Sequence, residues 1–343
     1  QTLLIRNSCI GNKYSLTENY ERIEYADNAF SDIRVNRDRH KKYILQAEKF
    51  LTDFRNKPSP YSVVVTPEGR PINRKRQFSF LLPNKIFGSI RWFFKMIYSY
   101  YTGPHREDYS TIKPWHYVWD RLKRKARVLI GFDDLYDEVD FAEDFAFFPL
   151  QYQPEVSTML YSPFYQDQLW LIKQIARSLP IHFKLYVKEH PAMFGYRPRL
   201  YYKELKKIPN VKLIRPTIVS FELIRNAKLI TTNLGTPGWE GLFMKKPVIT
   251  FGHAFYNTLP FVKRCREIEN LPWIVKDQLE NFKYDEQMLI DFIAALLEES
   301  ADVDLIQLWS IEGGDDLEKK KKELEPLVDL MAEKIGLRPV MGS

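Results

Sequence analysis

The chain has 343 residues, of which 45% are hydrophobic and 28% charged, and a net charge of +7 from 51 basic and 44 acidic residues. This composition excludes a disordered polymer, and the length exceeds one ordinary core and suits two domains of about 150 residues each. The basic excess reads as modest and mixed along the chain, which suits an anionic ligand, a nucleotide or an acidic membrane surface and excludes a nucleic-acid-binding stripe.

Two cysteines, Cys9 and Cys265, have no metal or disulfide spacing, so a reducing cytoplasm is the expected compartment. No signal-peptide pattern is visible, and an opening residue of Gln1 in place of Met leaves open whether the natural chain begins earlier.

In chain order, "NRDRHKKYILQAEKFLTDFRN" (36–56) sets Tyr43, Ile44, Ala47, Phe50, Leu51 and Phe54 at three- and four-residue intervals, which predicts an amphipathic helix. A short apolar run, Ser62 to Val65, lies between proline-marked turns. "IFGSIRWFFKMIYSYYTG" (86–103) comes nearest to a membrane span, but Arg91 and Lys95 interrupt it, so no transmembrane helix is predicted. Its aromatic and basic mixture fits either a membrane interface or a helix packed on its own domain. "PWHYVWDRLKRKARVLIG" (114–131) is a helix opened by Pro114, and the acidic "GFDDLYDEVDFAED" (131–144) reads as a linker or inter-domain surface. The boundary is therefore set there, with an N-terminal acceptor-side domain (1–145) and a C-terminal domain (146–343).

From residue 146 the rhythm becomes regular. "FAFFPLQ", "HFKLYVKEHP", "NVKLIRP", "KLITTN" and "KPVITFG" are apolar runs that alternate with helical segments. Runs without polar alternation are what parallel strands covered on both faces require, so an α/β domain with a parallel doubly wound sheet is expected. A charged helical tail follows, in which the Lys319–Lys322 run reads as a solvated face.

In an open parallel sheet, ligands bind beyond the carboxyl ends of the strands. "QYQPEVST" (151–158), "KEHP" (188–191), "TNLGTPGWE" (232–240) and "GHAFYN" (252–257) all fall there. In the third of these, Thr232, Asn233, Gly235, Thr236 and Gly238 form a turn into a helix whose N-terminal backbone amides suit a phosphate. Glu240 is expected in the first turn, where it can accept hydrogen bonds from ribose hydroxyls or simply complement the helix dipole. His190 leaves a strand end fixed by Pro191 and can donate to a phosphate oxygen as an imidazolium, with Lys188 adding charge. Gln151, Gln153, Glu155, Ser157 and Thr158 offer amides, a carboxylate and hydroxyls to a sugar or base, or form an ordinary polar loop.

Gln153-Pro154, His190-Pro191, the Gly235 to Glu240 loop, "KKPVITFG" (245–252) and Phe255-Tyr256 together resemble the bacterial capsule polysaccharide synthesis family, which includes Kdo transferases. The resemblance covers roughly 148–260. It implies a GT-B-like glycosyltransferase with two Rossmann-like domains facing a cleft and a nucleotide-sugar, CMP-linked favoured, on the C-terminal one, with no metal and no separate cofactor. His190 would contact the donor phosphate and Glu240 the ribose. Lys245 stands where that family tends to Gly, and its acidic-glycine element is absent from the N-terminal half, so Glu24, Asp27, Asp133 and Asp134 are candidates for the attacking carboxylate by type alone. With Glu155, Asp133 and Asp134 complete the catalytic candidates beside His190.

The expected function is transfer of a sugar, Kdo-like or related, onto a surface or capsular polysaccharide or glycolipid, at the inner face of the membrane with peripheral contact through residues 86–103. The alternatives are a CDP-polyol phosphotransferase of the same shape and a non-catalytic sugar-nucleotide or glycan-binding protein.

Overall fold

The computed structural model describes residues 2–60, 78–79, 82–103, 112–305, 308 and 317–337. The Ser62 to Val65 run lies outside them. Two strands open the chain, β1 (Leu4–Asn7) and β2 (Lys13–Thr17), followed by helices α1 (Glu24–Val35) and α2 (Lys41–Asn56). Helices α3 (Pro83–Thr102) and α4 (Pro114–Ile130) each have proline at the start, where a missing N–H costs nothing. The acidic stretch then leads into the main sheet through a 3-10 turn at Asp133–Leu135.

The second half alternates as its apolar runs predict: β3 (Phe145–Pro149), α5 (Val156–Leu160), α6 (Gln168–Ser178), β4 (Lys184–Lys188), α7 (Arg199–Lys206), β5 (Val211–Ile214), α8 (Ser220–Asn226), β6 (Leu229–Thr232), α9 (Thr236–Phe243), β7 (Val248–Thr250) and β8 (Val262–Arg264). The chain continues through α10 (Leu271–Glu280), α11 (Glu286–Glu298), β9 (Ser300–Asp302) and a last helix, Leu317–Lys334. In that helix Lys321 and Lys322 are exposed.

Strands β3 to β8 form one parallel sheet in the order β5-β4-β3-β6-β7-β8. Counted from its first strand this is the 3-2-1-4-5-6 order of a doubly wound Rossmann sheet, in which the winding reverses between the first and fourth strands. Here that switch point lies between β3 and β6. The α/β class with a parallel doubly wound sheet is borne out. Within this sheet, the strand that sequence reading missed is β8, three residues long with two of them basic, too short to register as an apolar run.

Side chains alternate across the sheet. Phe145, Phe147, Tyr186 and Ile230 face a layer that holds α8, α9 and α11, together with α1 and α2 from the N-terminal segment. Ala146, Phe148, Leu185 and Val187 face α6, α7 and α10. All eight are fully buried, which explains why neither face of these strands carries polar alternation.

The N-terminal segment does not build a second Rossmann-like sheet among the described residues. Strands β1 and β2 form an antiparallel hairpin to which β9 adds from the far end of the chain. Helices α1 and α2 lie along α11, with Phe30 meeting Phe292 edge-on at 5.4 Å and Ile33, Ile44, Ala47 and Leu51 buried. This segment therefore caps one helical layer of the parallel sheet.

Candidate functional site at the switch point

The exits of four neighbouring strands are tied together by side chains. At the end of β3, the Gln151 amide donates to Pro149 O at 3.1 Å and to Thr232 Oγ1, at the end of β6, at 3.3 Å. Thr232 Oγ1 in turn accepts the Gly235 N–H at 3.1 Å. The hydroxyl of Tyr256, in the loop after β7, donates to Gly235 O at 2.9 Å. The Gly235 loop is thus held from three sides. At Gly238 there is no room for a Cβ, which would strike the Tyr256 hydroxyl and come within 2.9 Å of Thr232 Cγ2. A Cβ at Gly235 would press on the Gln151 amide at 3.0 Å.

On the other side of β3, Glu189 follows β4 and is buried. Its carboxylate accepts from Arg197 at 2.5 Å, from the Tyr202 hydroxyl at 2.6 Å and from the His190 N–H at 2.7 Å. Arg197 also donates to Gln151 O at 2.8 Å and to Gln153 Oε1 at 3.3 Å. Burial by itself would lower the Arg197 pKa; Glu189, together with the Tyr201 and Tyr202 hydroxyls, outweighs it and leaves the guanidinium above its ordinary value. A fully paired buried ion of this kind fixes geometry, and here it aligns the β4 exit with the β3 exit.

His190 caps the short turn Pro191–Met193: its Nδ1 accepts the Ala192 N–H at 3.2 Å. A nitrogen that accepts carries no hydrogen, so the neutral ring with hydrogen on Nε2 is the form that keeps this bond. The expected imidazolium, with hydrogen on both ring nitrogens, would give up this bond. Tyr152 packs edge-on against the ring at 5.9 Å. Lys188 is buried and donates to Ser220 Oγ at 2.7 Å, which draws its charge toward α8.

The remaining candidates divide. Glu240 is not in the first turn of α9; it lies one turn on, on the same face as Thr236, and is buried. Both line a cavity of about 700 Å³ between α9, α2 and the β1–β2 turn, with Trp239, Phe243, Phe50 and Asp53 also in its wall. The Trp239 indole N–H is buried and has no acceptor among the described residues, and the Asn233 side-chain oxygen is likewise buried without a donor. Both are atoms a ligand hydroxyl or a water can satisfy. Cys9, on the same wall, has its thiol pushed up to about 12 by burial and by the Glu240 carboxylate, so it is a neutral thiol at physiological pH.

Thr158 turns its hydroxyl back to Glu155 O at 3.0 Å, and the Glu155 side chain is exposed. The Ser157 side chain lies outside the described residues. Asp133 pairs with Arg215 at 2.7 Å and Asp134 with Arg199, both carboxylates more than half exposed on the β5 side of the sheet. The structure does not bring these two to the switch point. Asp27, by contrast, sits half-buried against Thr258 Oγ1 at 2.7 Å, near the β7 exit.

Sequence reasoning missed Glu189, Arg197, Trp239 and Asp53 as site residues. Glu189 carried a signal, a charge directly after an apolar run, that was spent on its neighbours. Arg197 and Asp53 carried none.

Residues 93–261 match the family model described as capsule polysaccharide biosynthesis protein. Protein FixF of Sinorhizobium fredii is 31% identical over 155 residues, which cover 41% of this chain and 36% of that protein. The chain therefore spans about a third of that relative's length. Among solved structures, the beta Kdo 2,4 transferase of Thermosulfurimonas dismutans KpsC superposes with a TM-score of 0.45 at 14% identity, covering 89% of this chain and 74% of that one. The beta Kdo 2,7 transferase of the same KpsC gives 0.36 at 21% identity, covering 55% of each chain. The family match begins well before the segment in which the resemblance was read and ends with it, and it contains His190, the Gly235 loop, Glu240 and Tyr256. Over residues 93–261, just under half of its length, the chain is similar to the capsule polysaccharide biosynthesis family.

Proposed function

We propose that the chain is a glycosyltransferase of capsule or surface-glycan synthesis that holds a nucleotide-sugar, CMP-linked favoured, across the switch point of its parallel sheet. The observation that carries this reading is the tie between Gln151 and Thr232, with His190 on one side and the Gly235 loop on the other. Strands about 4.8 Å apart set the β4 and β6 exits roughly 10 Å from each other, the span of a nucleotide's phosphate and ribose.

In this reading the phosphate sits between His190 Nε2–H and the N-terminal end of α9, where donors and the helix dipole favour negative charge. His190 stabilises the nucleotide as the glycosidic bond breaks by donating to a phosphate oxygen. Glu240 and the Trp239 N–H, on the cavity wall, meet ribose or sugar hydroxyls. The acceptor is activated by a carboxylate of the N-terminal segment, for which Asp53, in the cavity, and Asp27, at the β7 exit, are better placed than Asp133 or Asp134. No separate cofactor or metal is assigned. A glycan or glycolipid acceptor and peripheral membrane contact through residues 86–103 belong to the same reading.

Calorimetric titration with CMP, CDP and UDP tests it. CMP is expected to bind, and His190→Ala or Glu240→Ala to weaken it by about 1–3 kcal/mol each, the worth of a hydrogen bond to a charged or buried group. No binding of any nucleotide would end the reading. Product analysis with a CMP-sugar against a CDP-polyol then identifies the group transferred.

A further inference from the structure

Helix α3 is twenty residues long and buries none of them. Its apolar side chains stand in solvent: Phe87 is 79% exposed, Tyr98 69% and Phe94 63%. Helix α4 adds Trp115, Trp119 and Leu122, each about half exposed. The two helices run antiparallel, with Trp92 against Tyr117 at 5.4 Å and Tyr100 against Trp115 at 5.8 Å. The Arg121 guanidinium covers both Trp92 and Tyr117, at 5.4 and 4.8 Å. An amphipathic helix gains its stability by burying its apolar stripe, so a pair left this open lacks a partner among the described residues.

The chemistry of that partner is set by charge. The basic excess is not mixed evenly along the chain after all. Residues 83–103 and 112–130 hold nine Lys or Arg against one Asp, more positive charge than the whole chain's net +7, and the remainder is close to neutral. A second copy of the chain would bring two such surfaces together and repel itself. Aromatic rings interleaved with basic groups match the interface of an anionic bilayer, where rings sit at headgroup level and basic groups meet lipid phosphates. No described helix is long and apolar enough to cross a membrane, so the pair would lie in the interface and not span it.

The hairpin is also fastened to the site. Near the end of α4, Val128 is buried and fills the space a side chain at Gly195 would need. Arg127 donates to the carbonyls of Gly195 and Tyr196, and Arg124 stacks over the Tyr196 ring at 4.4 Å. These turn residues lie between Pro191 and Arg197, the side chain that locks the β4 exit to Gln151.

We infer that α3 and α4 form a docking surface for an anionic phospholipid bilayer, which holds the His190 edge of the sheet at the headgroup layer. This deepens the peripheral contact in the proposed function and rests on that reading only for the acceptor's location; lipid binding and transfer can each fail alone.

Vesicle co-sedimentation of the full chain tests it, with phosphatidylcholine vesicles against vesicles containing phosphatidylglycerol. Binding is expected only with phosphatidylglycerol and should fall as salt rises. Arg91→Glu with Lys95→Glu should lower the partition coefficient at least about tenfold, since each basic group near such a surface is worth about fivefold. Phe87→Ser with Phe94→Ser should lower it as well, and because both rings are exposed the circular dichroism and melting temperature should not move. Equal binding to both vesicle types, no binding to either, or variants that bind like the parent would overturn the inference. So would a stable dimer by light scattering that the Phe variant converts to monomer.

Discussion

The side-chain amide of Gln151 donates to Thr232 Oγ1 at 3.3 Å, joining the ends of two strands that are neighbours in the sheet but 81 residues apart in the chain. Because the winding of the sheet reverses between these strands, the bond crosses the place where a crevice opens. Gln151→Ala and Thr232→Val are each expected to cost about 1 kcal/mol of stability. Their effects on nucleotide affinity should be less than additive in a double-mutant cycle, with a coupling of about 0.5–1 kcal/mol read by calorimetry. Strict additivity would mean the two residues act separately.

Gly238 faces the Tyr256 hydroxyl and Thr232 with no room for a methyl group. Gly238→Ala should therefore destabilise the fold by about 1–3 kcal/mol through overpacking and loosen the Gly235 loop. Tyr256→Phe removes the obstructing hydroxyl along with its bond to Gly235 O. The double variant is expected to be more stable in urea denaturation than the two single losses would sum to.

Arg197 is the sole cation bonded to the buried Glu189 carboxylate among the contacts described at this site, so the two halves of the pair are not equivalent to remove. Arg197→Met leaves a buried carboxylate supported only by Tyr202 and a backbone amide, and should cost about 3–5 kcal/mol. Adding Glu189→Gln removes the stranded charge while keeping an acceptor for Tyr202, and should recover part of that loss. If the double variant is no better than Arg197→Met in chemical denaturation, the pair's worth lies in packing and not in charge.

Much of the sheet was legible because fully buried parallel strands announce themselves: Phe145, Phe147, Phe148, Leu185 and Val187 are all without solvent contact. The β1–β2–β9 sheet was not. Its strands are three to five residues long and partly exposed, and β9 exists through pairing with a strand almost 300 residues earlier, which no local pattern encodes. The candidate site divides the same way. Residues at strand exits, such as His190 and Gly235, could be placed by the rule that ligands gather there. Glu240 could not be separated from the His190 side by spacing alone, because the cavity it lines is completed by Asp53 and Phe50 of a helix that packs from the other end of the chain. Nor could the role of Lys188 be read, since its bond to Ser220 depends on how α8 seats against the sheet.

Asp27 offers a prediction whose sign can be worked out. Burial pushes its carboxyl above the ordinary value, while the hydrogen bond from Thr258 and then Arg22 pull it back down. A carboxyl whose folded pKa lies above its unfolded value costs stability at neutral pH, because the folded state disfavours the charge. That cost disappears as pH falls through the folded pKa toward the unfolded value of about 3.9. Asp27→Asn keeps an acceptor for Thr258 and removes the charge. The variant should melt above the parent at pH 7, and the difference should shrink toward pH 4 as the parent's carboxyl takes up its proton. A variant that melts below the parent at pH 7 would show that the attraction of Arg22 and Arg6 outweighs burial. If Asp27 is the carboxylate that activates the acceptor, the same substitution will abolish transfer while raising the melting temperature, a pairing that a purely structural residue would not produce.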